Sequence, residues 1–476
     1  MRMSRFLAAA ITAGVVLSSL CAQNITVLKN WKRTGASFFN DIWGYTAPNG
    51  QELAIVGEKK GIWILDTTDP RFPKQLSWWS APDSYWRDFT NVGPYVYSAT
   101  ENSSQRGFRV IDLTKPGTPV DVGYVQTGTL TAAHNVSADP AGGFIYFSGS
   151  NQGVAIYDVK TTPKNPSLVA TWKTRYVHDI CIRRGRGYFA LGRSYQVRIL
   201  NVTNPKSIST IGNCSTPGGY AHNSWPSEDD KILCCTDELG RNGVSPHMTV
   251  WDISNPASPK KLGDYDLGNP HIAHNVYVSG RTAYMSHYFD GIHVIDLADP
   301  TKPAKIAAYN TSSRTSGYDG AWGCYPFADH GVVYASDTDN GFFSLQVDCG
   351  HMNRYGTGTA GTKGVPRARF DGASPKVNAS KMRLECENLE PNKNFWIVIS
   401  VGSGTGTILG AKIHTNLATG KILGPITADS NGRATINAPV PNNATLGGAK
   451  IYMQLFGDRG TGTLISSRGM WAGICK

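Results

Sequence analysis

Four histidines stand at corresponding places along the chain, each followed by Asn or Asp: His134-Asn135, His178-Asp179, His222-Asn223 and His274-Asn275. Carboxylates fill the second position again in Asn40-Asp41, Arg87-Asp88 and Tyr318-Asp319. Imidazole and carboxylate together suit zinc or another divalent transition-metal ion, and a neighbouring Asp or Asn can orient each ring. His134, His178, His222, His274 and Asp179 are therefore candidate metal ligands, and a divalent metal ion is the implied cofactor. The same residues have a structural reading. A repeated Asp or Asn at a turn is first a cap for its own backbone, and side chains at the start of inner strands hold neighbouring units together. The three Asn copies, weak ligands for a metal, favour that reading.

Other chemistry is thinner. Asp237 and Glu238 form an acidic pair that could bind a cation or act as acid and base, but a solvated turn is the favoured reading. His271, His287, His293 and His330 fall outside the repeating register and read as packing or surface groups. The chain has no GxSxG elbow, no HExxH and no phosphate-cradling loop, so no catalytic residue is assigned.

The elements that would position these dipeptides repeat. A β-branched run ends in Asp or Asn and a proline turn at Asp66, Asp112, Asp158, Asn201, Asp252 and Asp296, and a degenerate copy has Gln346. The intervals are 46, 46, 43, 51, 44 and 50 residues, and the seven copies keep phase with the seven dipeptides. Asp or Asn accepts hydrogen bonds from its own turn, and Pro stops the ladder. A period near 46 residues with four short strands is a propeller signature. The expected fold is all-β: a seven-bladed β-propeller over 23–350, a linker over 351–373 and a small β-sandwich over 374–476. The seventh unit lacks a fourth strand, so Ile25–Trp31 is expected to complete it and remove an exposed edge.

Arg2 and Arg5 before the apolar run Leu7–Leu20 have the layout of a secretory signal peptide over 1–22, cleaved after Ala22. Leu20 before Cys21 makes a poor lipobox, which disfavours a lipid anchor. No later run is long enough to span a bilayer. Export permits disulfides, and Cys386 and Cys475 are expected to staple the C-terminal module. No cysteines pair as CxxC, which argues against structural zinc. From Gln23 to Gly350, 29 basic residues face 29 acidic ones, whereas from His351 onward 15 face 6. The basic excess belongs to the C-terminal module, where it could favour an anionic envelope surface; a solvated basic face is the plainer reading. Nothing matches a nucleic-acid-binding motif.

Several stretches carry a resemblance: NDIWGYTAPNGQELAIVG from Asn40, YWRDF at Tyr85–Phe89, VHDI at Val177–Ile180, AHNSWPSEDDKILCCTDE at Ala221–Glu238, the segment from Ile272 to Leu297, and YDGAWGCYPF at Tyr318–Phe327. In order and over roughly Ile25 to Val347, they resemble LVIVD repeats and the bacterial choice-of-anchor B family. The resemblance implies a propeller that is secreted or at the cell surface, with a variable C-terminal region and no assignable catalytic residue. The expected function is non-enzymatic binding or scaffolding of a protein, glycan or small molecule at the propeller mouth. The alternative is a metal-dependent enzyme acting in the channel.

Overall fold

The computed structural model describes residues 24–127, 130–150, 152–349, 351–370, 382–438, 449–459 and 463–474. The expected leader 1–22, Cys21 and Cys475 lie outside the described residues. Among those described, strands form the regular structure, with a single short 3₁₀ turn at Ser103–Gln105 and no α-helix. The chain divides into two compact units, one built from Val27–Ser279 and Ala283–Gln346, the other mainly from Val347–Lys476.

Among the described residues, the larger unit contains seven four-stranded antiparallel sheets. Six follow chain order, as in Val276–Ser279, Thr282–Ser286, Ile292–Asp296 and Ala304–Tyr309. In all six, the Asp or Asn that ends the third strand accepts from the backbone N–H two residues on, at 2.8–3.1 Å. A register shift falls just before that residue each time, from Ile64/Leu65 to Val294/Ile295. The bulge bends the chain into the proline turn and lets the fourth strand, at the sheet's edge, twist away.

The remaining sheet has the order Ile25–Trp31, Gly341–Val347, Val333–Asp337, Ala321–Tyr325. The N-terminal strand thus supplies the missing fourth strand, as expected from the strand count. Asn30 Nδ2 donates to the carbonyls of Asn340 and Phe342 at 2.8 and 3.1 Å. First strands of successive sheets pack on one another, and Ala321–Tyr325 packs back on Phe39–Thr46, so the succession closes. Apolar clusters lie between consecutive sheets, as where Tyr97, Phe108, Phe147 and Tyr157 meet. This closed set of repeated sheets is a β-propeller.

In the smaller unit, two sheets share one core. Phe395, Ile397, Met453, Leu455 and Met470 on one side meet Phe370, Leu384, Cys386 and Ile436 on the other. Two sequence expectations change here. Cys386 is a free, buried thiol in that core, whereas Cys349 is disulfide-bonded; alternation along Met382–Glu387 turns Cys386 inward among apolar side chains. The stretch read as a linker contributes strands Asn353–Tyr355 and Arg367–Phe370, paired with Gly469–Gly473 and Met382–Glu387. Its Gly and Pro content masked two short runs of alternating residues.

Candidate functional site

Each dipeptide opens or immediately precedes the first strand of its sheet, and the period brings the copies round one opening. Asp41, Asp88, Asp179, Asn135, His134, His178, His222 and His274 line a single cavity together with Trp86 and Trp322. Of the expected metal set, all five residues are therefore in one place.

The second positions link sheet to sheet. Asp88 accepts from the backbone N–H of Val136 at 2.6 Å, and Asn223 from that of Val276 at 3.0 Å. Asn223 also donates to Asp179 at 2.7 Å. These bonds hold the side chain of one sheet to the next, the structural role foreseen for the repeat. Their cost is buried charge. Burial pushes the Asp179 carboxyl up to about 7, and the Asp88 charge adds to it, against the Asn223 bond that stabilises the anion. Burial likewise raises Asp41 and Asp88, and the Asp41 charge lifts Asp88 further.

The first positions form a row of imidazoles. Ring centroids from His134 to His178, His222 and His274 are 4.2, 4.4 and 4.5 Å apart in succession. Each ring has its own setting. His134 Nδ1 lies 2.6 Å from Glu101 Oε1; burial opposes the cation, but the carboxylate outweighs it and raises the pKa. His178 Nδ1 meets the hydroxyls of Tyr220 and Tyr176 at 2.9 and 3.2 Å. His274 Nδ1 is 2.6 Å from the Trp322 carbonyl. Burial, with neighbouring imidazoles, holds His178 and His274 well below the usual range and His222 at about 3, so these three are neutral. His178 Nε2 and His222 Nδ1 are buried without a hydrogen-bond partner among the described residues.

Two features were missed in the sequence. Asp237 and Glu238 do not form a solvated turn. Asp237 ends a strand, fully buried, and accepts from Thr216 Oγ1 and Gly218 N at 2.9 Å each. Glu238 turns into the site, accepting from the Tyr288 hydroxyl at 2.5 Å, with its other oxygen 3.9 Å from His222 Nε2. The second is an aromatic circuit. From His274 it runs through Trp322, Phe38, Tyr85 and Trp86 to His134, each step 4.9–6.4 Å between centroids. Joined to the imidazole row, it closes. Aromatic residues shortly before the dipeptides, as in Tyr85-Trp86 and Tyr176, were the available signal.

The LVIVD repeat matches this chain at residues 245–267 and 271–311. The second match covers one complete sheet, Val276–Tyr309. A search of curated proteins finds no match. Among solved structures, similarity is found to the structure of U3-55K, at 12% identity and TM-score 0.49 over 67% of this chain and 98% of that one. The crystal structure of the RRP9 WD40 repeats is similar at 12% identity and TM-score 0.48, over 68% of this chain and 97% of that one. By its own repeated sheets and the LVIVD match at 245–311, the chain is a repeat protein carrying the LVIVD repeat.

Proposed function

We propose that this chain is an exported, non-enzymatic binding protein that takes a carbohydrate or similar polyol at its channel mouth. In this reading the larger unit is a seven-bladed β-propeller over 23–350 and the smaller a β-sandwich. The chain is of the choice-of-anchor B kind, secreted or at the cell surface. The leader-like Arg2–Leu20 segment supports export, and the basic excess after His351 suits contact with an anionic envelope surface.

The observation that carries the ligand class is the closed aromatic circuit. Tyr85, Trp86, Tyr176 and Tyr318 remain 44, 41, 42 and 48% exposed around it. Exposed aromatic faces offer stacking to the apolar face of a sugar, and phenol hydroxyls with Glu101 and Glu238 offer hydrogen bonds at its rim. A cationic ligand fits less well: Lys59 sits 4.3 Å from the Tyr85 ring and Arg193 6.0 Å from that of Tyr220.

Titrating the protein with a panel of oligosaccharides, followed by tryptophan fluorescence and calorimetry, is expected to give saturable binding. Trp86→Ala should weaken it about tenfold, since an aromatic contact contributes up to ~1.5 kcal/mol beyond its burial. No binding by any oligosaccharide at millimolar concentration, or equal binding by Trp86→Ala, would overturn the proposal. A second reading, a metal-dependent enzyme in the channel, is favoured by the approach of His222, Glu238 and His274.

A further inference from the structure

We infer that His222, Glu238 and His274 form a three-ligand site for one divalent transition-metal ion at the channel mouth. One ligand atom from each residue lies within 4.8 Å of the other two. Donors bound to zinc at about 2.0–2.2 Å in tetrahedral geometry stand about 3.3–3.6 Å apart. The residues therefore need to close by about an ångström, within the reach of side-chain rotation, to bind. Two imidazoles and one carboxylate are a donor set for zinc or iron(II), with further positions open to water or ligand.

The surroundings prepare each donor. The Trp322 carbonyl can only accept, so the proton of neutral His274 sits on Nδ1, 2.6 Å away, and Nε2 keeps its lone pair. The Tyr288 hydroxyl engages one Glu238 oxygen and leaves the other on the His222 side. The Tyr288 ring also lies 4.4 Å from that of His274, so one residue positions two ligands. His222 is only 3% exposed, and its Nδ1 has no hydrogen-bond partner among the described residues. His134, engaged by Glu101, lies outside the set. The assignment narrows the histidine row to its last two members and adds a carboxylate that does not belong to the repeating dipeptides.

The proposal is independent of the carbohydrate reading, because the probe is the metal alone. Tag-free full-length protein, stripped with chelator, is titrated with zinc chloride in a calorimeter, and cobalt(II) loading is followed by its visible absorption. One ion per chain is expected. Glu238→Gln, which retains an acceptor for Tyr288, should weaken binding at least about tenfold, as should His274→Ala. His134→Ala should leave stoichiometry and affinity unchanged. Circular dichroism of each variant separates loss of a ligand from loss of the fold. Absence of stoichiometric zinc or cobalt binding to the folded wild-type protein overturns the site. So does binding that survives Glu238→Gln intact, or that is lost equally in His134→Ala.

Discussion

Deletion of Val27–Trp31 is expected to destroy the cooperative unfolding of the larger unit. This stretch is most of the strand that completes the sheet of Ala321–Tyr325, Val333–Asp337 and Gly341–Val347. Leu28 and Trp31 pack on a cluster that includes Phe39, Ile42, Trp63, Tyr334 and Phe342, and the Trp31 ring lies 5.4 Å from that of Trp63. Removing the strand exposes that apolar face and leaves the ladder edge of Gly341–Val347 unpaired, a template for aggregation. Loss of two large apolar side chains, each contributing about 1.5–3 kcal/mol, together with the ladder bonds, approaches the ~5–15 kcal/mol that stabilises a typical domain. The deleted protein should elute as aggregate or unfold without a sharp transition. Trp31→Ala is the milder test, with an expected loss of about 2 kcal/mol in chemical denaturation. An unchanged midpoint in both variants would show that the ring does not depend on its N-terminal strand.

Asp41→Asn is expected to stabilise the protein at pH 8 by about 1–3 kcal/mol, with the gain shrinking as pH falls toward 4. Burial raises both Asp41 and Asp88 above the ordinary carboxylate range, and the Asp41 charge raises Asp88 further. With folded pKa values above unfolded ones, the folded state holds more protons between pH 4 and 7 or above. The contribution is fully present below the unfolded value near 3.8 and is lost as pH rises through the folded value. Asp179, at about 7, acts in the same window. Turn carboxylates such as Asp112, Asp158 and Asp252 are lowered instead, and their contribution is lost only as pH falls below that range. The amide introduced by the substitution can donate to Asp88 at every pH, as Asn223 donates to Asp179. Melting temperatures of both proteins from pH 4 to 9 decide the matter. Parallel curves would mean that the Asp41–Asp88 pair does not titrate in this range.

Much of this molecule is legible in one dimension because its decisive contacts are local or periodic. Asp66 through Asp296 each bond a backbone N–H two residues away, so their spacing marks every turn before any fold is known. The four histidines recur in phase with those turns, and a closed ring must bring equivalent positions to one opening. The N-terminal strand follows from the same arithmetic, since a four-stranded unit with three strands leaves an unpaired edge.

What escaped that reading depends on contacts between inequivalent positions. Glu238 lies 50 residues from Tyr288 in sequence, and no period relates them; their bond exists only because two sheets are adjacent. The aromatic circuit closes through Phe38, Trp322 and Trp86, which occupy different places in their units. Cys386 is turned into an apolar core by its strand, which composition cannot reveal. The repeat, its turns and the gathering of the histidines follow from residue order alone, because these rest on short-range hydrogen bonds and a constant period. Which nitrogen of each ring is engaged, and which carboxylate stands beside the row, is fixed in three dimensions, because both depend on side chains meeting across sheets.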